Sequence, residues 1–367
     1  MAFDGKYTFC AITAASLISY FTTCYFSTKS KKKNYNFLEL ANPGGSAKDR
    51  PALAIIRYFE ETGQLVPGRG DVVFEGTSGS TGISFAMLCN SMGYTCHICL
   101  PDDTSHEKLA LLESYGAIIE KVKPASIVDP DQYVNAARKR AFEKCQDDTP
   151  GMGVFADQFE NDCNWRAHYA GTGPEIWEQM NGKIDAFVSG SGTGGTISGC
   201  TRYFKDQGAN TQIILADPQG SGLYNRVKYG VMYDHVEKEG TRRRHQVDTI
   251  VEGIGLNRVT HNFIQAEEFI DDAVRVSDLE AIKMARWLSD NEGMFVGSSS
   301  CIGAIGAVKA ALKYKKDDET NGIVRDKTNR KRIVFIACDS GNRHLSKFWK
   351  QARFIDRGVQ LKDILEN

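Results

Sequence analysis

Short, nearly continuous apolar runs recur along this chain, each followed by a stretch of helical character. That rhythm constrains the fold more than any other feature. The runs are VVF (72–74), TCHICL (95–100), AIIEKV (117–122), IDAFVSG (184–190), TQIILADP (211–218) and RIVFIACDSG (332–341). Strands that are apolar throughout are buried on both faces, as in a parallel sheet flanked by helices. After the second run, Leu109, Leu111 and Leu112 give the following helix one broad apolar face. The expectation is an α/β protein of two doubly wound, mostly parallel open-sheet domains. A chain of 367 residues can supply two such cores. The expected division is a smaller unit over 34–161 and a larger one over 162–367, preceded by a distinct segment, 1–33.

In sheets of this kind ligands bind beyond the carboxyl ends of the strands. Three loops expected there are rich in Gly, Ser and Thr: EGTSGSTG (75–82), SGTGGT (191–196) and GSSSCIG (297–303). Each opens a helix, so its backbone N–H groups and hydroxyls favour an anion. One such loop is often only a tight turn. Three, together with the lysine of NPGGSAKDR (42–50), form a far more specific set. A literal G-x-G-x-x-G at Gly190, Gly192 and Gly195, with Asp217 ending the next strand, also fits a dinucleotide fingerprint. An NAD-dependent oxidoreductase is therefore the competing reading, although it leaves Lys48 and the other two loops unused.

Residues 7–26 contain no charge over about the length that spans a bilayer, and KSKKK (29–33) follows. Lysines after the apolar run predict an uncleaved single-pass anchor helix with the bulk of the chain facing the cytosol. A net charge of −1 gives no general attraction to nucleic acid. The ten cysteines show no framework, and the CxxC of Cys96 and Cys99 lacks a second ligand pair, so no metal is expected. Lys108, His168 and Asp217 lie near the site loops and read as structural, and Arg242 to Arg244 read as a solvated loop.

The motifs NPGGSAKDR, EGTSGSTGIS, GSGTGGTISG and EGMFVGSSS, in this order, resemble those of the cysteine synthase and cystathionine β-synthase family. These are pyridoxal 5'-phosphate enzymes of fold type II, with the fold of the tryptophan synthase β chain. The resemblance runs from about residue 37 to 349. It implies that Lys48 carries the cofactor covalently and is the catalytic base. It further implies that Gly192, Thr193, Gly194, Gly195 and Thr196 hold the cofactor phosphate and that Ser299 meets the ring nitrogen. Thr77, Ser78, Gly79, Thr81 and Gln158 would bind the substrate carboxylate, and EGIG (252–255) would lie beside the site. The reaction implied is β-replacement, O-acetyl-L-serine and hydrogen sulfide giving L-cysteine and acetate. The partners implied are the amino acid and sulfide, a membrane through the N-terminal segment, and a second copy of the chain. Members with such a segment place the protein in the mitochondrial outer membrane, with the endoplasmic reticulum the alternative.

Two departures stand out. Ser80 occupies the place of an asparagine that contacts the cofactor ring oxygen. Only NYNFLEL separates the lysine run from Ala41, where the family has a Gly-Asn-Thr-Pro-Leu motif and two strands. A sheet short of one edge is expected, and a weak or inactive membrane-tethered homologue is the second alternative.

Overall fold

The computed structural model describes residues 7–12, 35–125, 127–234, 249–324 and 329–365, with side chains from residue 39 onward. Among the described residues ten strands form two sheets, and every pairing between these strands is parallel. The strands are β1 (Tyr7–Ile12), β2 (Tyr35–Leu38), β3 (Val72–Gly76), β4 (Thr95–Pro101), β5 (Ile118–Val122), β6 (Gly153–Phe155), β7 (Ala186–Ser189), β8 (Gln212–Pro218), β9 (Asp272–Val276) and β10 (Lys331–Ala337). The smaller sheet has the order β5-β4-β3-β6, and the larger β1-β2-β10-β7-β8-β9. The helices used below are α1 (Asp49–Glu61), α2 (Ser80–Met92), α3 (His106–Ser114) and α4 (Tyr133–Lys144).

The apolar runs become the cores of the sheets, except AIIEKV, whose strand β5 is the outer edge of the smaller sheet and has no fully buried residue. All five residues of β3 and all four of β7 are buried. The helix Ser298–Thr320 lies against β7, β8 and β10. It approaches closely because Gly306 has no side chain: a Cβ there would stand 2.7 Å from Val188 and 2.8 Å from Ala216. Cys96 and Cys99, three apart on β4, pack into different apolar clusters, as the two-residue strand period requires. Cys99 instead shares a face with His97, opposite Glu120 of β5. Glu120 is already engaged there, its carboxylate 2.9 Å from Arg140.

The N-terminal expectations need correction. Tyr7–Ile12, the start of the expected anchor helix, is strand β1. It pairs with β10 over Tyr7↔Lys331 to Cys10↔Val334, and β2 continues along β10 at Ile336 and Ala337. The two strands thus line the edge of β10 in turn, so no bare edge is left beside it. Parallel pairing satisfies backbone groups that an open edge would leave unpaired. Residues 13–26 lie outside the described residues, as do Arg242 to Arg244. Among the described residues no helix is long and apolar enough to cross a membrane. β2, within the stretch assigned to the smaller unit, belongs to the larger sheet.

Candidate active site

Each sheet reverses its strand order once, between β3 and β6 in the smaller and between β7 and β10 in the larger. A crevice forms where loops leave such strands in opposite directions, and it is the usual ligand position of an open sheet. The carboxyl ends of all four strands face one cavity of about 1040 Å³. Lys48, Ser80, Gly192, Thr193, Gly194, Thr196 and Ser299 line it. So do Thr77, Ser78, Gly79, Thr81 and Gln158. Gly195 does not; it lies behind the wall, at the first position of the helix Gly195–Asp206.

Lys48 is the residue before α1, on a turn fastened from two sides. Asp49 accepts from the Gly44 N–H at 2.6 Å and from the Ser84 hydroxyl at 2.5 Å. Ser46 bridges to Asp339, and the Ala47 N–H donates to the Cys338 carbonyl at 3.2 Å. Gly45 has φ +77°, and a side chain there would press on Arg343. The lysine is therefore placed by two lobes at once. Burial draws its amine below the ordinary lysine value, against the opposing pull of Cys338, Asp339 and Glu39. An amine so shifted is a better base near neutral pH than a solvated one.

The loop after β7 is a cradle without side chains where backbone comes close. A Cβ on Gly192 would stand 2.1 Å from the Gly253 carbonyl, and one on Gly194 2.5 Å from the Phe263 nitrogen. Gly194 also has φ +91°, which favours glycine. The Thr193 hydroxyl accepts from Asn164 Nδ2 at 2.9 Å, so its own proton is free to donate. Thr196 meets His168 Nε2 at 3.2 Å, and the other ring nitrogen of His168 meets Thr172 at 2.9 Å. Burial, then Arg50 and Lys48, hold His168 well below the usual histidine range, so the imidazole is neutral. With the unpaired N–H groups that begin the helix Gly195–Asp206, this is a site for a phosphate-sized anion.

The loop after β3 begins α2. The first N–H groups of α2 have no partner within the helix and border the same cavity. Thr81 donates to Gln158 Oε1 at 2.6 Å, while Gln158 Nε2 donates to Glu75 at 3.2 Å and to the Gly76 carbonyl at 3.3 Å. The amide of Gln158 is thus spent on the loop itself, and it orients Thr81. Ser80 accepts from Arg343 Nη1 at 3.3 Å. Ser299 stands in the first turn of the helix Ser298–Thr320, near Cys338, whose thiol burial and Asp339 push up to about 11.

A group of charged side chains in the wall joins Lys108, expected to be structural, and Glu252 of the EGIG stretch to Asp339, His344 and Lys347, which the sequence did not single out. Glu252 is 2.9 Å from Lys108 Nζ, 3.1 Å from His344 Nδ1 and 3.6 Å from Lys347 Nζ. His344 Nε2 is 2.9 Å from Asp339. Burial works against the charge on His344, but Asp339 and Glu252 outweigh it and raise the imidazole to about 9. Burial likewise opposes ionisation of Glu252, and His344 and Lys108 hold its carboxyl below the usual range. Asp217, by contrast, is fully buried outside the cavity lining and accepts the Tyr224 N–H at 2.7 Å. It cannot meet a ribose, so the dinucleotide reading loses its acid.

A family model described as pyridoxal-phosphate dependent enzyme matches residues 26–339. That class accounts for a buried lysine and an anion cradle facing one crevice. The chain is 59% identical over 332 residues, 90% of its length and 81% of the relative's, to a Saccharomyces cerevisiae protein named "Putative mitochondrial cysteine synthase". It is 52% identical over 338 residues to cysteine synthase 2 of Emericella nidulans, covering 89% of this chain and 76% of that one. It is 37% identical over 324 residues to the cystathionine beta-synthase of Saccharomyces cerevisiae, covering 87% and 58%. The chain belongs to the cysteine synthase and cystathionine β-synthase family, whose cofactor is pyridoxal phosphate.

Proposed function

We propose that the protein is a cysteine synthase, replacing the acetyloxy group of O-acetyl-L-serine with sulfide to give L-cysteine and acetate. The observation that carries this is the convergence of Lys48, the 192–196 cradle and the Thr77–Thr81 loop on one cavity, in a chain similar to proteins named cysteine synthase. Pyridoxal phosphate, when bound, supplies the electron-withdrawing system that makes the amino-acid Cα–H acidic and the β-group able to leave. The chain supplies the rest. Thr193, Thr196 and the N–H groups around Gly192, Gly194 and Gly195 hold the phosphate. Ser299 offers a hydroxyl rather than a carboxylate to the ring nitrogen, a choice that does not favour a protonated ring and leaves elimination of the β-group competitive.

The N–H groups at the start of α2, with the hydroxyls of Thr77, Ser78 and Thr81, orient the substrate carboxylate; Gly79 gives the loop its close approach, and Gln158 acts through Thr81. Lys48 holds the cofactor and, once released, removes the Cα proton, a role that suits its lowered amine. Ser80 has no amide to give the cofactor ring, and its oxygen already accepts from Arg343. For location, the name of the Saccharomyces cerevisiae relative supports the mitochondrion. The uncharged residues 13–26 and KSKKK support contact with its outer membrane. Alkaline carbonate extraction tests this, peripheral contact releasing the protein into the supernatant. A homodimer belongs to the same reading and is tested by sedimentation.

The test of function is production of cysteine by the purified, cofactor-loaded protein from O-acetylserine and sulfide. Cysteine in proportion to enzyme is expected, and it should be absent with Lys48→Ala. A loaded wild-type protein that makes none would refute the activity.

A further inference from the structure

Lys108 is 3% exposed and yet borders the cavity. Its side chain leaves α3 and runs across Gly79: a Cβ on that glycine would stand 2.6 Å from Lys108 Cδ and 3.0 Å from Nζ. The amine thus lies over the middle of the Thr77–Thr81 loop before reaching Glu252 at 2.9 Å on the opposite lobe. Glu252 cannot neutralise all that surrounds it. Lys108, His344 and Lys347 face it, and Asp339, another carboxylate of the wall, is bound to His344. Glu107, beside Lys108 on α3, is turned away and held by the N–H and hydroxyl of Ser346 at 2.6 and 2.8 Å. Three basic side chains thus gather about Glu252 in the wall next to the loop.

We propose that Lys108 is a substrate-binding residue that selects for the free carboxylate of the amino acid, its amine shared between Glu252 and that carboxylate. This rests on the amino-acid reading given under Proposed function. A buried amine close to a fully charged acceptor gives a strong, charge-assisted hydrogen bond, and an amide in place of the carboxylate forfeits it. Glu252 then acts as a tether that competes with the substrate for the same amine.

The test compares binding of L-serine and L-serinamide to the cofactor-loaded protein, followed by the change in visible absorption. The wild type should prefer L-serine. Lys108→Met should weaken L-serine binding by about tenfold or more and leave L-serinamide nearly unchanged. Lys108→Arg should keep the preference, which guards against a variant that merely folds poorly. Glu252→Gln loosens the tether and should tighten L-serine. A role confined to holding the two lobes together predicts otherwise: both probes weaken alike in Lys108→Met, and Glu252→Gln weakens L-serine too. Either result overturns the proposal while leaving the amino-acid reading intact. A wild-type protein that responds to neither probe would remove that reading and this proposal with it.

Discussion

Glu75 ends its side chain inside the protein, where burial raises its carboxyl to about 8 against donations from the N–H and amide of Gln158. A carboxyl raised on folding contributes stability that is fully present below its ordinary value of about 4.5 and is lost as pH rises through about 8. Urea unfolding of the wild type should therefore show stability falling by on the order of a few kcal/mol between pH 5 and pH 9 from this group. Glu75→Gln should flatten that fall, and an equal slope in both proteins would contradict the assignment. The same residue shows where reading the sequence stops. Glu75 was visible as the first letter of a loop motif, but nothing local said that it would be enclosed. Lys48 was legible because three companion motifs accompany it. The pairing of Glu252 with His344 was not, since they stand 92 positions apart and meet only through the topology.

Among the elements, the three glycine-rich loops were readable because strand-to-helix turns need small residues where backbones approach. Their consequences are testable at Gly194. Alanine there must take φ +91° and places its Cβ 2.5 Å from the Phe263 nitrogen. Backbone strain of this kind costs about 1–3 kcal/mol. Gly194→Ala should thus weaken cofactor binding by roughly ten- to a hundredfold, measured by titrating the apoprotein with pyridoxal phosphate. Unchanged affinity would show that the loop does not hold the cofactor. β1 was misread for a physical reason. An uncharged run rich in aromatic and small residues satisfies a hydropathy criterion for a helix and a pairing criterion for a strand equally well. The edge offered by β10 decides between them, and that edge lies more than 300 residues away.

Over the whole molecule, the two sheets act as separate supports whose strand reversals open onto one cavity, and the turn that carries Lys48 is fastened to both lobes. A variant lacking residues 1–12 should expose part of the β10 edge. It is expected to melt several degrees lower and to aggregate more readily on heating; an unchanged melting temperature would mean that β1 adds nothing to the larger sheet. The central claim is that Lys48 carries pyridoxal phosphate in a site built to eliminate and replace a β-group. The measurement that tests it most directly is the visible absorption spectrum of the purified protein, before and after addition of O-acetylserine. The account predicts a visible band that is absent from Lys48→Ala, shifts when O-acetylserine is added and returns when sulfide follows. A wild-type protein that stays without visible absorption after incubation with pyridoxal phosphate would contradict it, as would a band that O-acetylserine leaves untouched.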